Sequence, residues 1–240
     1  MGSRPFSQNK GNQMQHMIFT KFNMPGFKGD PHIDPDWLDF RIMLLKRWLL
    51  PSLKQQTCQD FKWFMHCWHE TPFNQTTELL EIEDSYDNLT ILWLHNKNWH
   101  QEWLEKIRDR VEPGMLITSR IDSDDAVHKE YVRAIRGCDF KPGYFLCAET
   151  GIMHNVQTGE CYQRNYRRSP FMTYQENSYH DAPRDINTVH CRQHCHAEPV
   201  MGWTSQFPLW LQNIHGGNQG NKWLPQGAEF DISEIEKDFV

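Results

Sequence analysis

Up to about residue 140 the chain alternates short apolar runs with segments of helical period, and that alternation restricts the fold more than any other feature. Met17–Phe22, Phe61–Trp68, Leu89–Leu94 and Met115–Ile121 read as strands. Between them, Asp34-Pro35-Asp36 is an N-cap followed by proline at the first helical position. The helix it opens puts Trp37, Phe40, Leu44 and Trp48 on one stripe, with Leu38, Ile42, Leu45 and Leu49 beside it. Pro51 is expected to kink or end it. A second helix from Trp99 to Val111 turns Trp103, Ile107 and Val111 inward. A third spans Val127 to Arg136, with Gly137 as its cap. Strands separated by helices predict an α/β fold with a parallel sheet in the N-terminal half and helices on both faces. Beyond residue 140, Tyr144–Val156 and Cys161–Tyr166 read as a hairpin around Thr158-Gly159.

The 240 residues carry a formal charge of -6, with 38% hydrophobic and 13% aromatic residues. That supplies a core and argues against a nonspecific nucleic-acid binder, which needs a basic face. A mean hydropathy of -0.74 predicts long irregular connections. Seven cysteines without framework spacing predict a reducing, cytoplasmic setting. The polar start predicts a disordered tail over 1–13 and no secretion signal. Phe40–Leu50 is broken by Arg41, Lys46 and Arg47, so no transmembrane segment is expected there. The expected organisation is one domain over 14–240, with a nucleotide-binding half at 14–140 and an acceptor-binding half at 141–240.

Chemistry concentrates where the fourth strand ends, at Asp122-Ser123-Asp124-Asp125. Three carboxylates this close repel, and a divalent cation would use their oxygens. The plainer reading is a solvated loop in which Asp124 or Asp125 caps the following helix. An EF-hand does not fit, because Val127 stands where that loop needs glycine. In parallel sheets ligands bind beyond the carboxyl ends of the strands, which is where this cluster falls. Further along, Trp210-Leu211-Gln212-Asn213-Ile214-His215-Gly216-Gly217-Asn218 leads an apolar run into a histidine and two glycines. His190–His196 holds two cysteines and three histidines, which reads either as zinc ligands or as a His-rich strand or loop near a polar cleft. Arg164, Arg167 and Arg168 form a basic cluster that reads equally as a phosphate or acceptor contact or as a solvated loop.

Four blocks resemble one family. Pro51-Ser52-Leu53 with Gln56, Phe61 and Trp63 resembles the "PSL..Q....F.W" region before a nucleotide-binding strand end in glycosyltransferases of the GT-A fold. Ile117–Ala126 resembles the acidic DxD motif in its "T-x-R-(L/I)-D-x-D-D-A" form, found in the family of putative rhamnosyltransferases. His16–Asn23 resembles that family's opening strand, with Lys21 where arginine is usual, and Trp210–Asn218 its "WLQ..HG.N" block.

The resemblance implies a GT-A, Rossmann-like mixed sheet. It also implies an inverting transferase of polysaccharide biosynthesis that moves a sugar, rhamnose in the family's own description. The donor would be a UDP-, GDP- or dTDP-linked sugar and the acceptor a glycan or other hydroxyl compound. Mn²⁺ or Mg²⁺ would sit on Asp122, Asp124 and His215. Thr20, Glu70, Arg120, Asp122, Asp125 and Asn218 would contact the donor. The base would be an acceptor-side carboxylate, first Glu176, then Asp181 or Glu149. Two rival readings remain: a metal-dependent phosphoesterase, and a non-enzymatic zinc- or carbohydrate-binding module centred on 190–196.

Overall fold

The computed structural model describes residues 14–26, 31–96, 98–139, 141–178, 197–216, 218, 223, 225 and 227–240. At its centre lie β1 (Met14–Lys21), β2 (Lys62–Trp68), β3 (Leu89–Leu94) and β4 (Gly114–Arg120), all mutually parallel. Their side chains alternate between two apolar layers, as period two requires. Ile18, Trp63, Met65, Ile91 and Ile117 join one layer. Met17, Phe19, Phe64, Leu92 and Leu116 join the other. A strand buried on both faces reads as a continuous apolar run, which is why these four stand out in the sequence.

α1 (Pro35–Leu44), α2 (Leu50–Lys54), α3 (Phe73–Asp84) and α5 (Tyr131–Arg136) cover the first layer, and α4 (Trp99–Arg108) covers the second. Asp34 caps α1 as expected, accepting from the Trp37 N–H at 2.9 Å. Pro51 does not end the helix. Proline has no N–H to give and crowds the carbonyl four residues back. The turn at Leu45–Leu49 widens to π geometry, the Leu50 N–H bonds the Leu45 carbonyl, and α2 continues.

Strands from both expected halves share one sheet, in the order β10-β6-β9-β4-β1-β2-β3. β9 (Met172–Ser178) lies antiparallel between β4 and β6 (Phe145–Ala148), and β10 (Val200–Trp203) lies parallel outside β6. The α/β class with a parallel N-terminal half and a mixed sheet is therefore as expected. A second sheet runs β12-β8-β7-β11-β5, from β5 (Ala126–Val127), β7 (Thr150–Asn155), β8 (Cys161–Asn165), β11 (Trp210–Ile214) and β12 (Glu229–Phe230). α6 (Ile232–Phe239) closes the chain. No helix among the described residues is long and apolar enough to cross a membrane.

Three details differ from expectation. Ala126 and Val127 pair with β11 as a strand, so the helix begins only at Tyr131. The run from Tyr144 divides at Glu149: β6 belongs to the first sheet and β7 to the second. The expected hairpin is β7 with β8, and Gly159 takes the positive φ of its turn. α3 has no counterpart in the sequence reading.

Candidate active site

β4 delivers the acidic turn. After Arg120 the Ile121 N–H still bonds the Phe19 carbonyl at 3.1 Å, and the Asp125 N–H then closes a turn on the Asp122 carbonyl at 3.2 Å. The two residues of β5 pair antiparallel with β11, setting Val127 against Trp210 and Ala126 against Leu211. That register slides the far end of β11 along the turn. Asn213 gives its backbone N–H to Asp125 Oδ1 at 2.8 Å and its side-chain amide to the Asp124 carbonyl at 2.6 Å. His154 holds Asn213 in place, with Nδ1 at 2.7 Å from Oδ1.

Asp124 is the centre of the constellation. Its Oδ2 lies 3.0 Å from the Arg41 guanidinium and 2.9 Å from His215 Nε2, and accepts from the Asn218 amide at 3.3 Å. Asn218 also takes the His215 N–H at 2.8 Å and so fixes the loop that carries the imidazole. Arg41 reaches Ser123 Oγ as well, and Phe40 packs edge-on against the His215 ring at 5.2 Å. Burial would push the Asp124 carboxyl up, but Arg41 and His215 outweigh it and hold the group at about 2. Asp125 goes the other way: burial, then Asp124 and Asp122, drive it well above the usual carboxylate range. Asp122 is clasped by Arg120 through contacts of 2.8, 2.9 and 3.1 Å. Next to this pair, burial and Arg120 lower Lys21 to about 8 despite the opposing pull of Asp122.

Asp124 and His215 present one carboxylate oxygen and one imidazole nitrogen, a mixed pair that a borderline divalent ion takes more readily than a hard one. Asp124 stays ionised, as a ligand must. Its Oδ2 and His215 Nε2 lie 2.9 Å apart, the separation of two adjacent ligands on an octahedral ion with bonds of about 2.1 Å. Asp122 is paired with Arg120, so of the three expected ligands Asp124 and His215 are the two that meet. Among the described residues no three His, Cys, Asp or Glu side chains form a ligand group. Magnesium-type sites characteristically take one or two protein ligands and complete the shell with water and substrate phosphates.

The other expected residues fall in different places. Thr20 is fully buried and its hydroxyl accepts from the Trp63 indole at 3.0 Å, so it faces the core and not a nucleotide. Glu70 follows β2 at the carboxyl edge and accepts from the Trp68 indole at 3.0 Å. There the exposed rings of His69 and His95 stack at 4.7 Å. Close by, a cleft of about 540 Å³ is lined by His95, Asn96, Asn98, Gln101, Glu102 and Glu105. Glu176 does not reach the acidic turn. β9 runs against β4, so Thr173 pairs with Ser119 but Glu176 pairs with Leu116, back towards the start of the strand. Leu116 lies six positions before Asp122, up to roughly 20 Å along an extended chain. Asp181 and the zinc reading over 190–196 lie outside the described residues. Glu149 lies at the end of β6, which is parallel to β4, and so shares its carboxyl edge. Arg164 lies over the Tyr166 ring and Arg168 pairs with Glu198, so two of the basic cluster already have protein partners.

Sequence reasoning missed Arg41, Ser123, Asn213 and His154. Arg41 looked like a charge interrupting an apolar run. The signal was available, because a buried acidic turn requires a cation and Arg41 lies one residue from the helical stripe.

A family model described as "Putative rhamnosyl transferase" matches residues 30–225. No curated protein matches the chain. Among solved structures, the chain is similar to S. aureus TarS 1-349, at 14% identity and a TM-score of 0.43, over 83% of this chain and 60% of that one. It is also similar to a second S. aureus TarS structure, at 13% identity and the same TM-score, over 83% of this chain and 37% of that one. The chain thus spans three fifths or less of these two structures. The family match covers far more than half of the sequence, and the chain belongs to the family described as putative rhamnosyl transferases.

Proposed function

We propose that this chain transfers a sugar, rhamnose by the family description, from a nucleoside diphosphate to a hydroxyl acceptor, with inversion and with a divalent cation. One observation carries the reading. Asp124, Arg41, His215 and Asn218 come from three distant parts of the chain and meet on one carboxylate oxygen, at the carboxyl edge of a parallel sheet where ligands bind. Asp124 and His215 would hold Mn²⁺ or Mg²⁺, which supplies positive charge to the leaving diphosphate. Arg120 and Lys21, at the ends of β4 and β1, add fixed and adjustable positive charge on the same edge. The exposed His69 and His95 rings offer a stacking surface for the donor base, with Glu70 beside them.

In the transfer step the acceptor oxygen attacks the anomeric carbon, the bond from that carbon to the diphosphate oxygen breaks, and a carboxylate takes the hydroxyl proton. The diphosphate leaves with the electron pair. Glu149 is our choice for that proton, supported by its position after β6, which is parallel to β4 and so shares its carboxyl edge. A cytoplasmic setting is proposed with this chemistry, supported by the free thiols of Cys58, Cys67, Cys138, Cys147 and Cys161.

The test is thermal stability against UDP, GDP, dTDP and their sugars, each with and without Mn²⁺. A ligand that binds the native state raises Tm. A rise with one nucleotide that requires the metal supports the reading and names the donor class. A folded protein that responds to no nucleotide refutes it.

A further inference from the structure

Away from the acidic turn, on the same edge, lies a second cleft of about 330 Å³. Its lining includes Glu149, Gln163, Asn165, Thr204, Gln206 and Phe207. We propose that it is a subsite for an uncharged, hydroxyl-rich sugar ring, the acceptor if the transferase reading holds. The inference rests on that reading for the word acceptor, but the sugar site itself does not.

The chemistry of the walls selects the ligand. Amide side chains both donate and accept, as sugar hydroxyls do. Glu149 only accepts, and no Lys, Arg or His is among the described lining residues, so at these walls an anionic ligand would meet a carboxylate without a cation. Phe207 is half-buried and stacked on His128 at 4.3 Å, a fixed apolar surface for the C–H face of a sugar. The volume is at the lower end for small-molecule sites, which fits one ring better than a long chain.

Glu149 is held for this role. It is the residue at which the chain passes from the first sheet to the second. Its N–H bonds the Trp203 carbonyl at 3.0 Å and its carbonyl accepts from the Tyr166 N–H at 2.7 Å, so the backbone is fixed on both sides. The carboxylate rests on Gly202, where an added Cβ would lie 1.9 Å from Oε1. Any side chain at 202 must move the carboxylate. Gly202 has no positive φ, so alanine strains nothing else there.

The experiment is ligand-observed NMR with methyl α-L-rhamnoside, methyl β-D-glucoside, methyl β-D-galactoside and methyl N-acetyl-β-D-glucosaminide. Methyl glucuronide and glucose 6-phosphate are the charged comparisons. Wild-type protein is expected to bind at least one neutral glycoside and neither anion. Glu149→Gln and Gly202→Ala should each weaken that binding about tenfold, the scale of one charge-assisted hydrogen bond. Phe207→Leu is the alternative should either variant melt well below wild type. Failure to bind any neutral glycoside, preference for an anion, or variants that bind like wild type would overturn the proposal. Nucleotide shifts recorded on the same samples separate the two readings. A nucleotide response without glycoside binding removes only the subsite. Glycoside binding without a nucleotide response removes the transferase and leaves a sugar-binding cleft.

Discussion

Replacing Asp124 by asparagine tests the centre of the site most directly. The side chains of Arg41 and Asp124 are 13% and 8% exposed and meet at 3.0 Å. At that distance, and with an effective dielectric of about 20, the gross attraction is ~5.5 kcal/mol. Burial opposes it. What survives shows in the carboxyl itself, which Arg41 and His215 together hold at about 2 against 3.8, roughly 2 kcal/mol in favour of the ionised form. The substitution would remove that contribution and leave the Arg41 charge buried beside a neutral amide, and breaking such pairs costs about 3–5 kcal/mol. We expect Asp124→Asn to lose about 3 kcal/mol in urea unfolding and about 6–12 °C in Tm. Adding Arg41→Met should restore at least half of the loss, because no lone charge then stays buried. Both variants should lose any Mn²⁺-dependent response to nucleotide. An Asp124→Asn protein within about 0.5 kcal/mol of wild type, or a double variant whose losses simply add, would refute the charge argument. A retained metal-dependent response would refute the site.

Asn213→Ala removes the amide that joins the Asp124 carbonyl to His154, so about 2–4 kcal/mol of stability should go, read by urea unfolding. Gly151→Ala would set a Cβ 2.0 Å from the Trp210 ring, which cannot retreat because it bonds the Ala148 carbonyl at 2.8 Å and stacks on Phe171. That overpacking should cost about 3 kcal/mol by the same assay. Burial, with Arg136 nearby, holds His16 at about 3; burial, with Lys21 and His100, does the same to His66. The unfolded chain therefore binds more protons below about pH 6.5, so stability falls as pH drops from 6.5 towards 3. By pH 5 each of these two histidines contributes about 2 kcal/mol of loss; His100, His128 and His154 are lowered by burial as well, so His16→Asn should reduce the slope of unfolding curves taken from pH 7 to pH 5 without abolishing it.

The parts of this molecule that sequence reveals are those whose causes are local. β1 to β4 announce themselves because both of their faces are buried, and Asp34-Pro35 marks the start of α1 through its own side chain. α3 has neither advantage: it lacks a side-chain cap bond and buries only Gln75, Leu79 and Ile82. Ala126 and Val127 look helical beside Tyr131–Arg136, and only a strand more than eighty residues later makes them β. The same distance hides Arg41, whose partner is Asp124. Asp122, Asp124, His215 and Asn218 were legible as chemical types at a strand end and in a glycine loop. Their division into an Arg120-bound Asp122 and an Asp124 shared with His215 was not, because that depends on which guanidinium the packing delivers to which carboxylate.

The acidic turn raises one physical problem, three carboxylates within four residues, and the fold answers it differently for each. Asp122 remains half-exposed and is neutralised by a bidentate guanidinium on its own strand. Asp125 is fully enclosed and is pushed towards its neutral form, while the Asn213 N–H satisfies its oxygen. Asp124 alone stays firmly ionised inside the protein, because a helix on one side and the loop after β11 on the other bring Arg41 and His215 to one oxygen. The turn is therefore stable without a bound cation. A divalent ion at Asp124 would share or replace the Arg41 contact, and a guanidinium released there would be left at the edge where a diphosphate needs positive charge. Arg41 would then serve the proposed donor site as well as the fold, which no reading of its position in an apolar helix would have suggested.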